Sequence, residues 1–227
     1  MFYVIMCGGT YSEFDSPRQL IEINGERIVD RTVRLLKENG CEHVFISATD
    51  KRFDSCGVPR LEHRNEFSVG EGNICHGYWL DAFYPNFADT DKVTYIFGDV
   101  YFTEGAIKTI VEYQTDRNVL FGTSDAKNEL HENWGEPFAY IVNDYGTFMR
   151  GIDTVKKLQD MGICKRTPIV WELYRYLNGL DINVQAVRDD TYICIDDGTL
   201  DVDSWASVEK IRRRFEDASD DNSTCLQ

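Results

Sequence analysis

Residues 2–20 read FYVIMCGGTYSEFDSPRQL. The first five of these residues are mostly apolar and predict a buried β-strand; Cys7 and the pair Gly8-Gly9 follow it directly, and no apolar periodicity resumes before Leu20. In open α/β sheets, ligands bind beyond the carboxyl ends of the strands, where a glycine pair lets backbone N–H groups approach a phosphate closely. A tight turn explains the same glycines equally well.

The rest of the chain alternates short apolar runs with longer amphipathic ones. Strands are predicted at Phe2–Met6, His43–Ser47, Arg60–His63, Val93–Phe97, Asn118–Gly122, Phe138–Val142 and Val184–Val187. Helices are predicted at Ile28–Asn39, Asn73–Phe83, Thr103–Gln114, Tyr145–Met161, Pro168–Asn178 and Ser204–Phe215. This order predicts an α/β fold, a single Rossmann-like domain with a mixed, mainly parallel sheet and helices on both faces. After about residue 123 the alternation is less regular, so later strands are candidates for antiparallel additions.

Composition indicates an ordinary globular protein. The 227 residues are 42% hydrophobic, and we expect one domain over residues 1–216 followed by an acidic, disordered tail over residues 217–227. The net charge of −15 argues against binding to nucleic acid or to an anionic membrane. The seven cysteines, an odd number without a C-x-x-C pair, indicate reduced thiols in a cytoplasmic protein.

Aspartates occur at two places that suit a metal site: one follows an apolar strand in the middle of the chain, and a pair precedes the last predicted helix. Asp99 ends the stretch YIFGD (residues 95–99), which places its carboxylate at the mouth of the ligand crevice, where acceptor oxygens suit Mg²⁺. Asp201 and Asp203 are two residues apart, so on an extended segment they face the same way and can reach one cation. The alternatives are a turn or helix cap for Asp99 and solvated turn residues for the other two.

The opening strand with its glycine pair and three later motifs, taken in order and with their spacing, resemble the sugar nucleotidyltransferase family, a branch of the GT-A fold that includes phosphocholine and phosphoglutamine cytidylyltransferases. After the glycine pair, SPRQLIEINGERIVDRTVRLL (residues 16–36) resembles the family's segment PK-x-L-x-x-x-x-G-x-P-I-x-x-x-x-x-x-L. YIFGDV (residues 95–100) is similar to the Gly-Asp metal motif, and LDVDSWASVEKI (residues 200–211) is similar to the late motif I-D-T-P-E-D-L. The resemblance covers most of the chain.

The resemblance implies a definite reaction, in which a phosphorylated small molecule attacks the α-phosphorus of an NTP and releases pyrophosphate. Such a transfer needs alignment of the reactants and cations on the phosphates more than covalent help. Asp99 and Asp203 would hold Mg²⁺, with Asp201 as a third ligand. CTP is the favoured nucleotide, because the short chain and its loops look more like the cytidylyltransferases than the larger sugar-1-phosphate enzymes.

The resemblance also implies how the triphosphate is bound. Backbone amides of Gly8, Gly9 and Thr10 would line it, and Arg18, at the position of the family's lysine, would stabilise the bridging and leaving oxygens. The sequence departs from the family twice. Relatives carry Arg or Lys soon after the glycines, whereas residues 11–13 are Tyr, Ser and Glu here. Arginine is also a planar fork where lysine is a compact point charge, although a fork grips phosphate well.

Residues for the second substrate are candidates on weaker patterns. Asn73 is expected to open a helix whose first turn faces the base or the acceptor. Trp134 and Glu136 would enclose a cationic head group, with a tryptophan packed under a loop as the alternative. Lys165 and Arg166 precede a predicted helix N-terminus, where phosphate binds favourably; a solvated basic pair is the alternative.

Two other functions fit parts of the sequence. The tripeptide Asp201-Val202-Asp203 reads as the D-x-D metal motif of GT-A glycosyltransferases, which use a nucleotide sugar as donor, but it lies near the end of the chain rather than in its middle. The missing basic residue after the glycines favours a homologue that binds nucleotide without turnover. The sequence leaves open the base, the acceptor and whether the chain forms homo-oligomers.

Overall fold

The computed structural model describes residues 1–8, 14–62, 68–69, 75–76, 79–83, 86–127 and 135–224, with only the backbone described at 68–69, 75–76 and 215–224. The strands within these ranges are β1 Phe2–Met6, β2 Glu22–Ile23, β3 Glu26–Arg27, β4 Val44–Ser47, β5 Arg60–Leu61, β6 Ser68–Val69, β7 Cys75–His76, β8 Val93–Phe97, β9 Val100–Tyr101, β10 Val119–Gly122, β11 Pro137–Val142, β12 Tyr192–Cys194 and β13 Leu200–Asp201. The α-helices are α1 Ile28–Glu38, α2 Glu104–Glu112, α3 Tyr145–Asp160, α4 Val170–Leu177 and α5 Trp205–Thr224.

Seven strands form the central sheet, in the order β12-β10-β11-β8-β1-β4-β5. Strand β11 runs antiparallel to both of its neighbours, and all other neighbouring strands in this sheet are parallel. Every residue of β8 and β10 is buried, as expected when both faces of a mainly parallel sheet are covered. The predicted α/β class is therefore confirmed, including an antiparallel strand after residue 123.

Local sequence explains why these elements form where they do. Helix α1 buries an apolar face and ends just before Gly40, which has a φ of 79° and so stops the helix. Thr103 caps α2, and Asp144 caps α3, through side-chain oxygens that accept from backbone N–H groups three residues on. The rings of Tyr95 in β8 and Tyr140 in β11 both contact Phe148 of α3, which places α3 against one face of the sheet.

Two predicted elements are wrong. Residues 184–187 form no strand, because Val184 and Val187 are three residues apart and so cannot share one face of a sheet; Val184 is half exposed, and β12 lies beside β10 instead. The helix predicted at Asn73–Phe83 is also absent from the described part of that range. Cys75–His76 pair with β6, and a 3-10 turn covers Trp79–Ala82. The glycine at position 77 disfavours a helix at this place.

The remaining predicted elements are found at or close to their expected positions. The backbone of α5 continues to Thr224, so the predicted boundary at residue 216 falls within this helix. The division into a domain over residues 1–216 and a tail over residues 217–227 stays a prediction.

A second, smaller hydrophobic cluster positions the site described below. It joins the segment that follows the glycine pair to β9, to the residues around β13 and to α5. Its buried members are Phe14, Ile21, Ile23, Ile28, Tyr101, Val202, Val208 and Ile211. Because this cluster holds residues from both ends of the chain together, it fixes polar residues next to them in the sequence relative to one another.

A helix that crosses a membrane must be both long and apolar. Within the described ranges, none is both long and apolar enough for that.

Candidate active site

Gly98 sets the course of the chain at the carboxyl end of β8. Its N–H donates to the carbonyl oxygen of Met6 at 3.0 Å, across the junction with β1. A Cβ at this position would lie 2.5 Å from that same oxygen and 2.8 Å from Cys7 Sγ. Only glycine fits such a close approach of two strands, and the turn it makes carries Asp99 beyond the edge of the sheet.

The short antiparallel pair β9–β13 brings the two acidic motifs together. Asp201 is paired with Val100, and the N–H of Val202 donates to the carbonyl oxygen of Asp99 at 2.9 Å. Asp203 follows directly, and Ser204 then accepts a hydrogen bond at the start of α5, from the N–H of Ser207 at 3.3 Å. Backbone pairing therefore places aspartates about a hundred positions apart on one side of the molecule.

Arg18 lies between the two motifs. It begins a 3-10 turn that follows Pro17, and its guanidinium forms ion pairs with the carboxylates of both Asp99 and Asp203. The same guanidinium donates to the carbonyl oxygen of Val202 at 3.3 Å. Only 11% of the Arg18 side chain is exposed, so this cation is held in place rather than solvated. The structure thus brings the three predicted catalytic residues into contact.

Glu136 joins these residues, which sequence reasoning did not anticipate. Carboxylate oxygens of Glu136, Asp201 and Asp203 all lie within 4.8 Å of one another. The position of Glu136 is set by its backbone, because Thr123 and Glu136 exchange hydrogen bonds of 2.9 and 3.0 Å where β10 ends and β11 begins. This contact is non-local, and Glu136 was predicted from its neighbours alone as part of an acceptor pocket.

Burial and the grouping of carboxylates raise the pKa of Asp201 and of Glu136. Burial raises the pKa of Asp201 well above its ordinary value, and the charges of Asp99 and Asp203 raise it further, while Arg18 opposes them. The pKa of Glu136 rises to about 7, because its carboxyl group is partly desolvated and faces Asp203 and Asp99. A cation bound here would relieve this repulsion.

The donor set fits a hard divalent cation such as Mg²⁺. All the ligand atoms are carboxylate oxygens, which Mg²⁺ and Mn²⁺ prefer. The Oδ1 atom of Asp201 is buried and finds no hydrogen-bond partner among the described residues, a condition that a metal ion would correct. Asp99, Asp201, Asp203 and Glu136 are the residues that could hold the ion.

Of the residues predicted to bind nucleotide, Gly8 is within the described part of the chain. Gly8 lies two residues beyond the end of β1, at the same edge of the sheet as Asp99. Gly9, Thr10, Asn73 and Trp134 lie outside the described residues, so their predicted roles stay predictions.

One residue of the basic pair before α4, Arg166, has a structural partner. Arg166 donates to Glu172 at 2.7 Å, and the same carboxylate accepts from the N–H of Ile169 at 2.9 Å and pairs with buried Arg175. Lys165 is exposed. Binding of substrate by Lys165 and Arg166 stays a prediction, although Arg166 already forms an ion pair with the buried carboxylate of Glu172 in the first turn of this helix.

The fold and the site together define the class of protein: a Rossmann-like α/β domain of the nucleotidyltransferase type, with grouped carboxylates at the carboxyl edge of its central strands. The chain belongs to the MobA-like NTP transferase domain family, whose model matches residues 3–157. The family resemblance found in the sequence is thereby confirmed. A search of curated proteins by sequence found no significant match.

Solved structures share this fold. A protein from Bacillus anthracis assigned as a glucose-1-phosphate thymidylyltransferase, solved with sucrose, superposes with a TM-score of 0.57 at 12% identity, over 93% of this chain and 94% of that one. The CTP:phosphocholine cytidylyltransferase of Streptococcus pneumoniae superposes with a TM-score of 0.53 at 14% identity, over 94% of this chain and 98% of that one. At such identities the likeness concerns the fold.

Proposed function

We propose that the protein transfers an NMP unit from an NTP to a phosphorylated small molecule and releases pyrophosphate, with Mg²⁺ as cofactor. The observation that carries this proposal is the meeting of Asp99, Asp203 and Arg18 at one edge of the sheet, in a chain of the NTP transferase family. A transfer between phosphates needs carboxylates that hold a metal ion and a cationic side chain that binds phosphate, and these three residues supply both.

In the proposed reaction, a phosphate oxygen of the acceptor forms a bond to the α-phosphorus of the NTP. The bond from that phosphorus to the oxygen that bridges to the β-phosphorus breaks, and pyrophosphate leaves with the electron pair. Mg²⁺ would supply charge neutralisation on the phosphates, held by Asp99 and Asp203 with Asp201. Amides of Gly8, Gly9 and Thr10 would line the triphosphate.

Arg18 has a proposed role in two stages. Without nucleotide it pairs with Asp99 and Asp203 and so offsets part of their repulsion. When these carboxylates take up a cation, Arg18 would leave them and donate to the bridging and leaving oxygens of the triphosphate. The planar guanidinium suits such bidentate contacts.

The finer assignments belong to the proposal as well. CTP is the proposed nucleotide, with Asn73 among the residues that bind it. A phosphorylated small molecule is the proposed acceptor, bound with help from Trp134, Lys165 and Arg166. We place the reaction in the cytoplasm, in line with the free thiols of the cysteines that the structure describes.

The direct test is pyrophosphate release. The folded protein with Mg²⁺ is incubated with each of the four NTPs and a panel of phosphorylated small molecules, including phosphocholine and sugar 1-phosphates. Release with one NTP and one acceptor is expected. Silence across the panel, combined with release of a nucleoside diphosphate from a nucleotide sugar, would instead identify a glycosyltransferase.

Arg18→Ala is expected to lower kcat by roughly 10- to 100-fold and to change KM little, because the lost contacts are strongest when charge builds on the leaving group. Steady-state pyrophosphate release at saturating Mg²⁺ measures both constants. Arg52→Ala is the matched control, since Arg52 is exposed and pairs with Asp50, and it should leave kcat unchanged. A rise in KM alone would remove Arg18 from the chemical step.

A further inference from the structure

A polar cavity lies at the edge of the central sheet opposite the candidate active site. It is lined by Asn118, which directly precedes β10, and by Thr191, which directly precedes β12, so both stand at the amino ends of parallel strands. Asp99 follows the carboxyl end of β8, which runs parallel to β10 because β11 is antiparallel to both. The cavity has a volume of about 370 Å³, which is enough for a small polar molecule.

Two arginines in the lining share one carboxylate. Arg117, just before β10, and Arg188, in the segment before β12, both form ion pairs with Asp190. Arg188 donates to the two carboxylate oxygens at 3.1 and 3.3 Å, and Arg117 donates to one of them as well. About half of each arginine side chain is exposed, so a ligand in solution can reach both guanidinium groups. One negative charge therefore faces two positive charges.

The wall beside these arginines is held by buried hydrogen bonds. The hydroxyl of Thr191 donates to Asn178 Oδ1 at 2.8 Å and lies 3.0 Å from the hydroxyl of Tyr174. That tyrosine hydroxyl also accepts from the N–H of Arg188 at 2.9 Å. Because Thr191 and Tyr174 are buried, this network fixes the backbone that carries Arg188 and Asp190.

The side-chain amide of Asn118 offers a donor at the same cavity. Its Oδ1 accepts from the N–H groups of Asn143 and Asp144 at 2.8 and 3.1 Å, which fixes the orientation of the amide. Its Nδ2 donates to no residue in the described part of the chain. The amide therefore has N–H groups to give to a ligand.

We propose that the cavity binds the phosphate group of a small phosphorylated molecule, which replaces the Asp190 carboxylate between Arg117 and Arg188. Guanidinium groups bind phosphate through paired hydrogen bonds, and Asn118 supplies a further donor. A phosphate dianion carries the second negative charge that two guanidiniums can pair with and that a single carboxylate lacks. This advantage lets it compete with a side chain that is already in place.

The remaining lining indicates what the rest of the ligand is like. Asp116 and Asp144 also line the cavity, and carboxylates accept hydrogen bonds from hydroxyl and amino groups. The ligand class is therefore a phosphate monoester that carries such groups. Its binding does not depend on the proposed reaction, since the residues involved lie at the other edge of the sheet.

The experiment measures binding of inorganic phosphate to the full chain by phosphorus NMR, with a chelator and without nucleotide. Weak binding with a Kd on the order of 1 mM is expected, because Asp190 competes. Arg117→Ala and Arg188→Ala should each weaken binding about 10-fold or more, through the loss of charge-assisted hydrogen bonds. Asp190→Asn should strengthen binding about 10-fold, because it removes the competing charge and keeps the side-chain shape.

Two variants serve as controls, and both should keep Kd within about threefold of the wild type. Asp50→Asn removes the same charge beside a single exposed arginine, Arg52, which is also two residues away in the sequence. Arg18→Ala removes the guanidinium of the candidate active site, at the opposite edge of the sheet. Thermal unfolding checks that each variant is folded, and a gain of affinity in Asp190→Asn cannot arise from unfolding.

Three results would overturn the proposal. They are a wild type that binds no phosphate at about 10 mM, arginine variants at 117 and 188 that bind as tightly as the wild type, and an Asp190→Asn protein that binds no more tightly than Asp50→Asn. Acetate is titrated in parallel, and equal affinity for acetate would reject phosphate as the group recognised. Phosphate binding that depends on Arg117 and Arg188, in a protein inactive with every NTP, would retain this site and reject the proposed function.

Discussion

Asp99→Asn is expected to slow pyrophosphate release about 1000-fold at saturating Mg²⁺ and nucleotide. The substitution removes a negatively charged ligand from the cation that neutralises the phosphates, and a metal ion contributes several kcal/mol to such a transition state. At about 1.4 kcal/mol for each tenfold change, a loss of about 4 kcal/mol corresponds to this factor. Single-turnover measurements with excess enzyme would show whether the chemical step itself is slowed.

The fold should withstand this change. Asp99 contributes to the architecture through its backbone, whose carbonyl oxygen accepts from the N–H of Val202, and asparagine keeps both that carbonyl and the shape of the side chain. Arg18 retains Asp203 as a partner. Asp153→Asn, at an exposed position of α3, is the control and should change neither activity nor melting temperature. If the melting temperature of Asp99→Asn without metal fell by many degrees, the carboxylate would be needed to stabilise the fold.

The sequence predicted the parts of the fold that depend on local patterns. The mostly apolar runs of β1 and β8 and the amphipathic pattern of α1 indicate burial within a few residues, and the structure has these elements at or close to their predicted positions. The segment at 184–187 misled because two valines suggested a strand, although their spacing fits no sheet face. Which strand occupies the edge of the sheet beside β10 depends on pairing between residues far apart in the sequence.

The candidate site shows the same division. Asp99 was recognisable because it follows a buried strand at the edge where ligands bind in α/β sheets. The family resemblance paired it with Asp203 and Arg18. The same reasoning could not predict that Glu136 lies beside these residues. Its position depends on backbone hydrogen bonds with Thr123 and on the β9–β13 pair, and neither leaves a periodic pattern in the sequence.

Gly98→Ala is expected to impair both stability and activity, in contrast to Asp99→Asn. The new methyl group would lie 2.5 Å from the Met6 carbonyl oxygen and 2.8 Å from Cys7 Sγ, and the first of these is backbone of a central strand that cannot rotate away. Overpacking of this kind costs about 1–3 kcal/mol, and at about 2–4 °C per kcal/mol the melting temperature should fall by several degrees.

The activity of Gly98→Ala should fall because the strands can separate only by moving the turn that carries Asp99, and displacement of a ligand by even 1 Å weakens catalysis strongly. Gly105→Ala is the matched control. A Cβ there, in the first turn of α2, has the exposed side chain of Asp197 as its nearest neighbour at 3.3 Å, and alanine favours a helix, so stability should hold or rise slightly. If calorimetry found Gly98→Ala as stable as the wild type and equally active, the close approach of β1 and β8 could not be what positions Asp99. Loss of activity with full stability would place the effect in the turn alone. Stability and activity measured together therefore separate the packing of the sheet from the position of the Asp99 carboxylate.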